Sequence, residues 1–129
     1  MTETWLDLAR DARKASYALV SENYRSCLSR AYYAAYSKVA HELVFIAGLT
    51  MPANREGPSH PGESGKGGIR RLIESSMPNM PKEKCLKLSE LIGRLYTLRV
   101  AGDYQPSVKV DAADAREAIS IMKTIFESF

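Results

Sequence analysis

Residues 23–47, NYRSCLSRAYYAAYSKVAHELVFIA, constrain the fold more than any other stretch. Leu28, Tyr32, Ala35, Val39, Leu43 and Ile46 recur at helical spacing and describe one apolar stripe. Cys27, Ala31 and Ala34 carry the apolar surface round the side of that helix. A helix so widely apolar must touch neighbours on more than one side, and its alanines let them come close. The remaining face reads Ser26, Arg30, Tyr33, Ser37, His41. It is expected to be a solvated or subunit-facing stripe, with a ligand site as the alternative.

The rest of the chain supplies the neighbours. Trp5, Leu8, Ala9, Ala12, Ala15 and Leu19 predict a first helix over 4–20, opened by Thr4 with Asp7 in a capping box. IRRLIESS predicts a short helix over 69–76, stopped by Met77-Pro78. Pro81-Lys82-Glu83 opens a fourth helix that runs to Tyr104, ahead of Pro106. Asp111, backed by Asp114, caps a last helix with Ala115, Ile119, Met122, Phe126 and Phe129 on its apolar face. No stretch alternates with period two. The expected fold is all-α, an antiparallel four-helix bundle with one additional short helix, in a single domain spanning 1–129.

One segment interrupts the pattern. Residues 51–68 hold five of the chain's eight glycines and three of its six prolines, which predicts a flexible loop. Its GESGKGG is no phosphate loop, because His60 stands where the first glycine belongs and Gly67 where a hydroxyl is needed.

Composition bounds the function classes. A chain of 129 residues with 45% hydrophobic and 26% charged residues suits one soluble domain. No apolar run approaches the roughly 20 residues that span a bilayer, so no membrane partner is expected. Cys27 and Cys85 make no disulfide framework; buried small side chains in a reducing cytoplasm are the expectation. With two histidines and no ligand spacing, neither a metal nor another cofactor is expected. A net charge of +3 permits an RNA or nucleotide partner without demanding one.

The fourth helix carries the best functional address. Leu88, Leu91, Ile92 and Leu95 form its stripe, and the next residue on that stripe is Arg99. An arginine in a core position is costly unless it is paired or used. Asp103 lies one turn on, followed by Tyr104. Two readings stand side by side: a structural ion pair, or an arginine that binds phosphate bidentately and keeps its charge when desolvated. His60, with an ordinary pKa near neutrality, is a candidate acid or base if the loop folds back over Arg99.

Two stretches together resemble a known family. NYRSCLSRAYYAAYSKVAHELVFIAGL is similar to the Arg-Ala-Tyr-Tyr-Ala helix of bacterial and archaeal HEPN domains. SHPG, an apolar helix and then LIGRLYTLRVAGDYQPSVKVDAADAREAISIMKTIFE resemble the remainder, across about residues 3–128. The resemblance implies an antiparallel helical bundle that forms a homodimer. It also implies an RNA or nucleotide partner and a toxin–antitoxin or defence setting, with an antitoxin or nucleotidyltransferase as protein partner. Many members are metal-independent ribonucleases whose arginine holds the scissile phosphate while a histidine four to six residues later activates the 2′-hydroxyl. Arg99 matches the arginine, but Asp103, Tyr104 and Gln105 stand where the histidine belongs, and Gly102 replaces an alanine. Losing that histidine forfeits general-base catalysis worth about 10²–10⁴-fold. Tyr104, with an ordinary pKa of about 10, is a poor substitute.

Three functions follow in order. The first is a dimeric HEPN-like RNA- or nucleotide-binding protein, degenerate for catalysis, in which Arg99 contacts phosphate, Asp103 orients it, and Tyr104 stacks or hydrogen-bonds. His60, Lys66 and Arg30 would line the same cleft. The second is an active endoribonuclease toxin in which Tyr104 or His60 replaces the missing histidine. The third is a non-enzymatic protein-interaction module.

Overall fold

A computed structural model of the chain describes residues 3–51, 56–61 and 68–129. Among these residues the protein is all-α: α1 (Trp5–Leu19), α2 (Tyr24–His41), α3 (Ile69–Ser76), α4 (Lys82–Tyr104) and α5 (Ala112–Glu127) form a helical bundle. The only β-type pairing described is an isolated bridge between Ser59 and Gly68. No helix of the described residues is long and apolar enough to cross a membrane.

α2 is the axis of the bundle, and α1, α4 and α5 all pack on it, as its multi-sided apolar surface requires. Ala31, Ala34 and Ala35 of α2 and Ala9 and Ala12 of α1 are all buried, small side chains that let packed helices approach closely. Trp5 meets Tyr36 edge-on at 5.7 Å at one end of that contact, and Cys27 Sγ meets the Ser16 carbonyl at 3.4 Å towards the other. Leu28, Tyr32, Val39 and Leu43 of α2, Leu88, Ile92 and Leu95 of α4, and Met122 and Ile125 of α5 fill the shared core. Both cysteines are buried and free, and burial pushes the Cys27 thiol up.

Local signals explain where the helices begin. The Thr4 hydroxyl accepts from the Asp7 amide at 3.2 Å while the Asp7 carboxylate accepts from the Thr4 amide at 3.0 Å. Asp111 and Asp114 form the same reciprocal cap at α5. α3 is fastened to α4 by a polar chain centred on the buried Ser89, with the exposed Arg70 donating through Nε to Ser89 Oγ at 3.0 Å and Ser89 donating to the exposed Glu74 at 2.8 Å.

Three expectations are corrected. The second helix does not continue as an α-helix to residue 47: Glu42–Ile46 is π-helical, closed by the Ala47 amide on the Glu42 carbonyl at 2.8 Å. The wider turn advances fewer degrees per residue and swings Ile46 off the buried stripe, leaving it 68% exposed. Gly48, at φ +73°, then ends the helix in the left-handed region that favours glycine. On α5 the buried face runs through Ala115, Ala118, Ile121, Met122 and Ile125, so Ile119 and Phe126 flank the core and Phe129 is exposed. The Arg30, Tyr33, Ser37, His41 face is solvated only in part, because Ser37 is buried and the His41 Nδ1 atom is sealed in without a hydrogen-bond partner among the described residues.

The end of α4 has a cap that the sequence hides. Arg25, in the first turn of α2, reaches across to five carbonyls. Its Nη1 donates to Ala101 at 3.0 Å, Gly102 at 3.2 Å and Gln105 at 3.2 Å. Its Nη2 donates to Pro106 and Val108 beyond. A cation at the negative end of α4 adds donors to its last carbonyls, of which Ala101 also accepts from the Gln105 amide at 3.3 Å. Gly102 allows the approach: a Cβ there would sit 3.1 Å from the Arg25 carbonyl and 3.3 Å from Leu28 Cδ1.

Candidate functional site

Arg99 follows the core stripe of α4 into the bundle, and only 11% of its side chain is exposed. Its charge faces one carboxylate: Nε lies 2.9 Å from Asp103 Oδ2, one turn on, where the side chain is 27% exposed. The Nε–H is not aimed at that oxygen, however, and this buried donor has no hydrogen-bond acceptor among the described residues. Ser29 Oγ donates to the same Asp103 oxygen at 3.2 Å, which tethers the carboxylate to α2. Asp103 therefore neutralises Arg99 without saturating it.

The remaining contacts of Arg99 are with tyrosines. Nη2 donates to Tyr33 Oη at 2.8 Å and to Tyr104 Oη at 3.3 Å. The guanidinium carbon lies 5.1 Å from the Tyr104 ring centre, 5.2 Å from Tyr33, and 6.0 Å from Tyr32 and Tyr96. Four electron-rich faces thus surround one cation. Burial works against the charge, but Tyr33, Tyr104 and Asp103 outweigh it and hold the Arg99 pKa above its ordinary value. Phenol oxygens are neutral acceptors, and an anion competes well with them for a guanidinium. Tyr104, at 65% exposure and with the longer hydrogen bond, covers the solvent side of the cluster.

His60 joins the same group. Its Nδ1 shares a 2.6 Å hydrogen bond with Tyr32 Oη. Its ring lies 4.8 Å from Tyr36 and 6.1 Å from Tyr96, the latter nearly parallel. The expected flexible loop is, over 56–61, tied to the bundle by aromatic donors. Trp5 Nε1 donates to the Glu56 carbonyl at 3.2 Å and Tyr36 Oη to the Pro58 carbonyl. Gly57 makes this possible, since a Cβ there would come 2.6 Å from Trp5 Cζ2. Tyr32 is buried, and burial, followed by its neighbours Tyr36, Tyr96 and Tyr33, pushes its pKa far above the ordinary tyrosine range. At neutral pH it is a hydroxyl and not a base.

Arg30 is exposed, with its guanidinium 5.4 Å from the Tyr33 ring on the side of α2 that faces α1. There an open cavity of about 610 Å³ lies between the two helices, lined by Trp5, Asp11, Arg30, Tyr33, Tyr36 and His60 among others. Tyr33 therefore belongs both to this cavity and to the Arg99 cluster.

Arg99, Asp103, Tyr104 and His60 thus stand together, Arg30 stands one ring away, and Lys66 lies outside the described residues. Sequence reasoning missed Tyr32, Tyr96 and Trp5 as parts of the site, and held Tyr33 only on a face for which a ligand site was the alternative reading. The spacing of Tyr96 to Arg99, three residues on one helix face, was the available signal. Among the described residues no group of three or more His, Cys, Asp or Glu side chains could hold a metal ion. Comparison of the chain with models of protein families, with curated proteins and with solved structures finds no match.

Proposed function

We propose that this chain is a HEPN-like RNA- or nucleotide-binding protein, and that Arg99 is its phosphate-binding group. One observation carries the proposal: a guanidinium, largely buried, has a single carboxylate 2.9 Å from its Nε and gives its Nη2 donors to neutral tyrosine oxygens. A phosphate entering beside Tyr104 would replace those weak acceptors with a charged one. Asp103 orients Arg99, Ser29 steadies Asp103, and Tyr104 supplies a ring at the mouth of the site.

The wider reading rests on the family resemblance. It comprises an antiparallel four-helix bundle with one additional short helix, two copies forming a shared cleft, a cytoplasmic location, and a toxin–antitoxin or defence system with an antitoxin or nucleotidyltransferase partner. The Trp5–Tyr36 and Ser16–Cys27 contacts between α1 and α2, and the Tyr32–Tyr96 and Arg25–Gly102 contacts between α2 and α4, support the antiparallel arrangement. The free, buried cysteines accord with a reducing compartment.

The test is fluorescence anisotropy of a labelled single-stranded RNA at low salt. Arg99→Gln should lower affinity about tenfold or more while the far-UV spectrum and unfolding remain cooperative. Equal affinity in the folded variant would remove Arg99 from the site. A gel-filtration mass corresponding to the monomer at high concentration would remove the shared cleft.

A second reading has its own observation. His60 shares Tyr32, Tyr33 and Tyr96 with Arg99 as ring neighbours, so the acid–base group missing after Arg99 has a candidate replacement nearby. A metal-independent endoribonuclease of this kind would cleave RNA in EDTA and stop on either Arg99→Ala or His60→Ala. Cleavage that persisted in both variants would belong to another site or to a contaminant.

A further inference from the structure

We infer that the cavity between α1 and α2 takes a nucleobase of the same strand whose phosphate sits on Arg99. The inference rests on the phosphate-binding role of Arg99 and extends it to the ligand's other half. Three features point to a base. The walls are aromatic: Trp5, Tyr33, Tyr36 and His60 all face the cavity, and base–aromatic stacking is the sequence-tolerant way in which single strands are held. The volume, about 610 Å³, lies within the roughly 300–1,000 Å³ of sites that enclose organic ligands, so one base with its ribose has room.

The third feature is position. Tyr33 borders both sites: it lines the cavity, and its ring centre lies 5.2 Å from the Arg99 guanidinium carbon and 5.4 Å from that of Arg30. A base in the cavity and a phosphate at Arg99 are therefore separated by about the width of one side chain, which a single nucleotide spans. Arg30 lines the cavity too, where it can meet the next phosphate or lie over the base as a cation. Asp11 adds a carboxylate acceptor for an exocyclic amine.

The chain contains its own reporter. Trp5 is the only tryptophan in the sequence, and it is a wall of the cavity. A base that stacks there should quench Trp5 emission, whereas a phosphodiester bound only at Arg99 should not. The experiment titrates the intact protein with single-stranded oligoadenylate and, separately, with an abasic ribose-phosphate strand of the same length. Trp5 emission is followed in one series and anisotropy of the labelled strand in another. Oligoadenylate is expected to quench Trp5 saturably, with the midpoint found by anisotropy. The abasic strand should bind about tenfold more weakly and leave Trp5 unchanged. Filling the cavity from the half-exposed α1 position Ala15, with Ala15→Phe, should cost oligoadenylate about the same tenfold and leave the abasic strand's affinity as it was.

Arg99-dependent binding of both strands with equal affinity and no change in Trp5 emission would overturn the base pocket and leave the phosphate site standing. Absence of Arg99-dependent binding by either strand would overturn the phosphate site, and the base pocket with it.

Discussion

Arg25→Met tests how the end of α4 is held in place. The guanidinium donates to five carbonyls, of which Ala101 and Gly102 are reached through partly buried bonds and the other three through exposed ones. Water replaces a lost donor at an exposed carbonyl with little penalty, so the two shielded bonds dominate. A hydrogen bond from a charged donor contributes about 1.5–3 kcal/mol net. Some relaxation is expected because the helix end can fray, which brings the sum to about 2–4 kcal/mol. For a domain of this size 1 kcal/mol shifts the melting temperature by roughly 3–5 °C, so the variant should melt about 6–20 °C lower. Urea titration monitored by circular dichroism measures the same difference at constant temperature. Arg25→Lys keeps the charge but offers one compact ammonium to spread-out acceptors, and it should recover no more than about half of the loss. Since the same turn carries Asp103 and Tyr104, RNA affinity should fall as well, although Arg25 touches neither side chain in the hydrogen bonds described. A Met variant within about 0.5 kcal/mol of the wild type would show that the carbonyl contacts add nothing, and that α4 is held by its core face alone.

Further predictions concern the loop anchor and the two ends of the pH scale. Gly57→Ala forces a methyl to within 2.6 Å of Trp5 Cζ2, so segment 56–61 must move. Overpacking of this kind typically costs about 1–3 kcal/mol, and a shift in Trp5 emission reports it; an unchanged spectrum and midpoint would mean that the loop is not pinned there. On the alkaline side, Tyr32 keeps its proton in the folded chain because burial and its tyrosine neighbours raise its pKa, while the unfolded chain releases that proton near pH 10. The native state then binds more protons, so stability is full below about pH 10 and falls as pH rises above it. Tyr32→Phe should flatten that fall, and an identical alkaline slope in the variant would contradict the shift. On the acid side, the Thr4 backbone N–H bond lowers the Asp7 pKa, the Asp114 backbone bond lowers that of Asp111, and the Arg94 hydrogen bond lowers that of Glu117. Their contribution is present above the unfolded values near pH 4 and is lost as pH falls through the folded ones, so the urea midpoint should hold between about pH 7 and 5 and drop by about pH 3. A midpoint that did not drop would remove the carboxylates from the account.

The sequence was most informative where local chemistry decides structure. Thr4 with Asp7 and Asp111 with Asp114 were readable as caps because each pair satisfies amides within its own first turn. Arg99 was readable because periodicity alone puts it on a buried stripe. What stayed hidden depends on contacts distant in the chain. Arg25 looks like a misplaced cation in the first turn of α2 until α4, some 76 positions further on, brings its carbonyls alongside. His60 looks like a solvated loop residue until Tyr32, 28 positions earlier, binds its ring. Gly57 resembles every other glycine in its segment, and only the nearness of Trp5 distinguishes it. The π-helical turn at Glu42–Ile46 changes the period in mid-helix, which a stripe drawn at constant spacing follows into the wrong face. The tyrosine shell was invisible for a related reason: a tyrosine at core spacing looks the same whether it fills space or surrounds a cation.

If the charge of Arg99 is used to hold a phosphate, the salt dependence of RNA binding measures that charge directly. Each phosphate neutralised on a single strand contributes about 0.7 to the slope of log affinity against log salt concentration. Arg99→Gln should therefore bind RNA more weakly at every salt concentration, with a slope shallower by about 0.7. An unchanged slope in a folded Arg99→Gln protein would contradict the claim and leave Arg99 as the structural partner of Asp103.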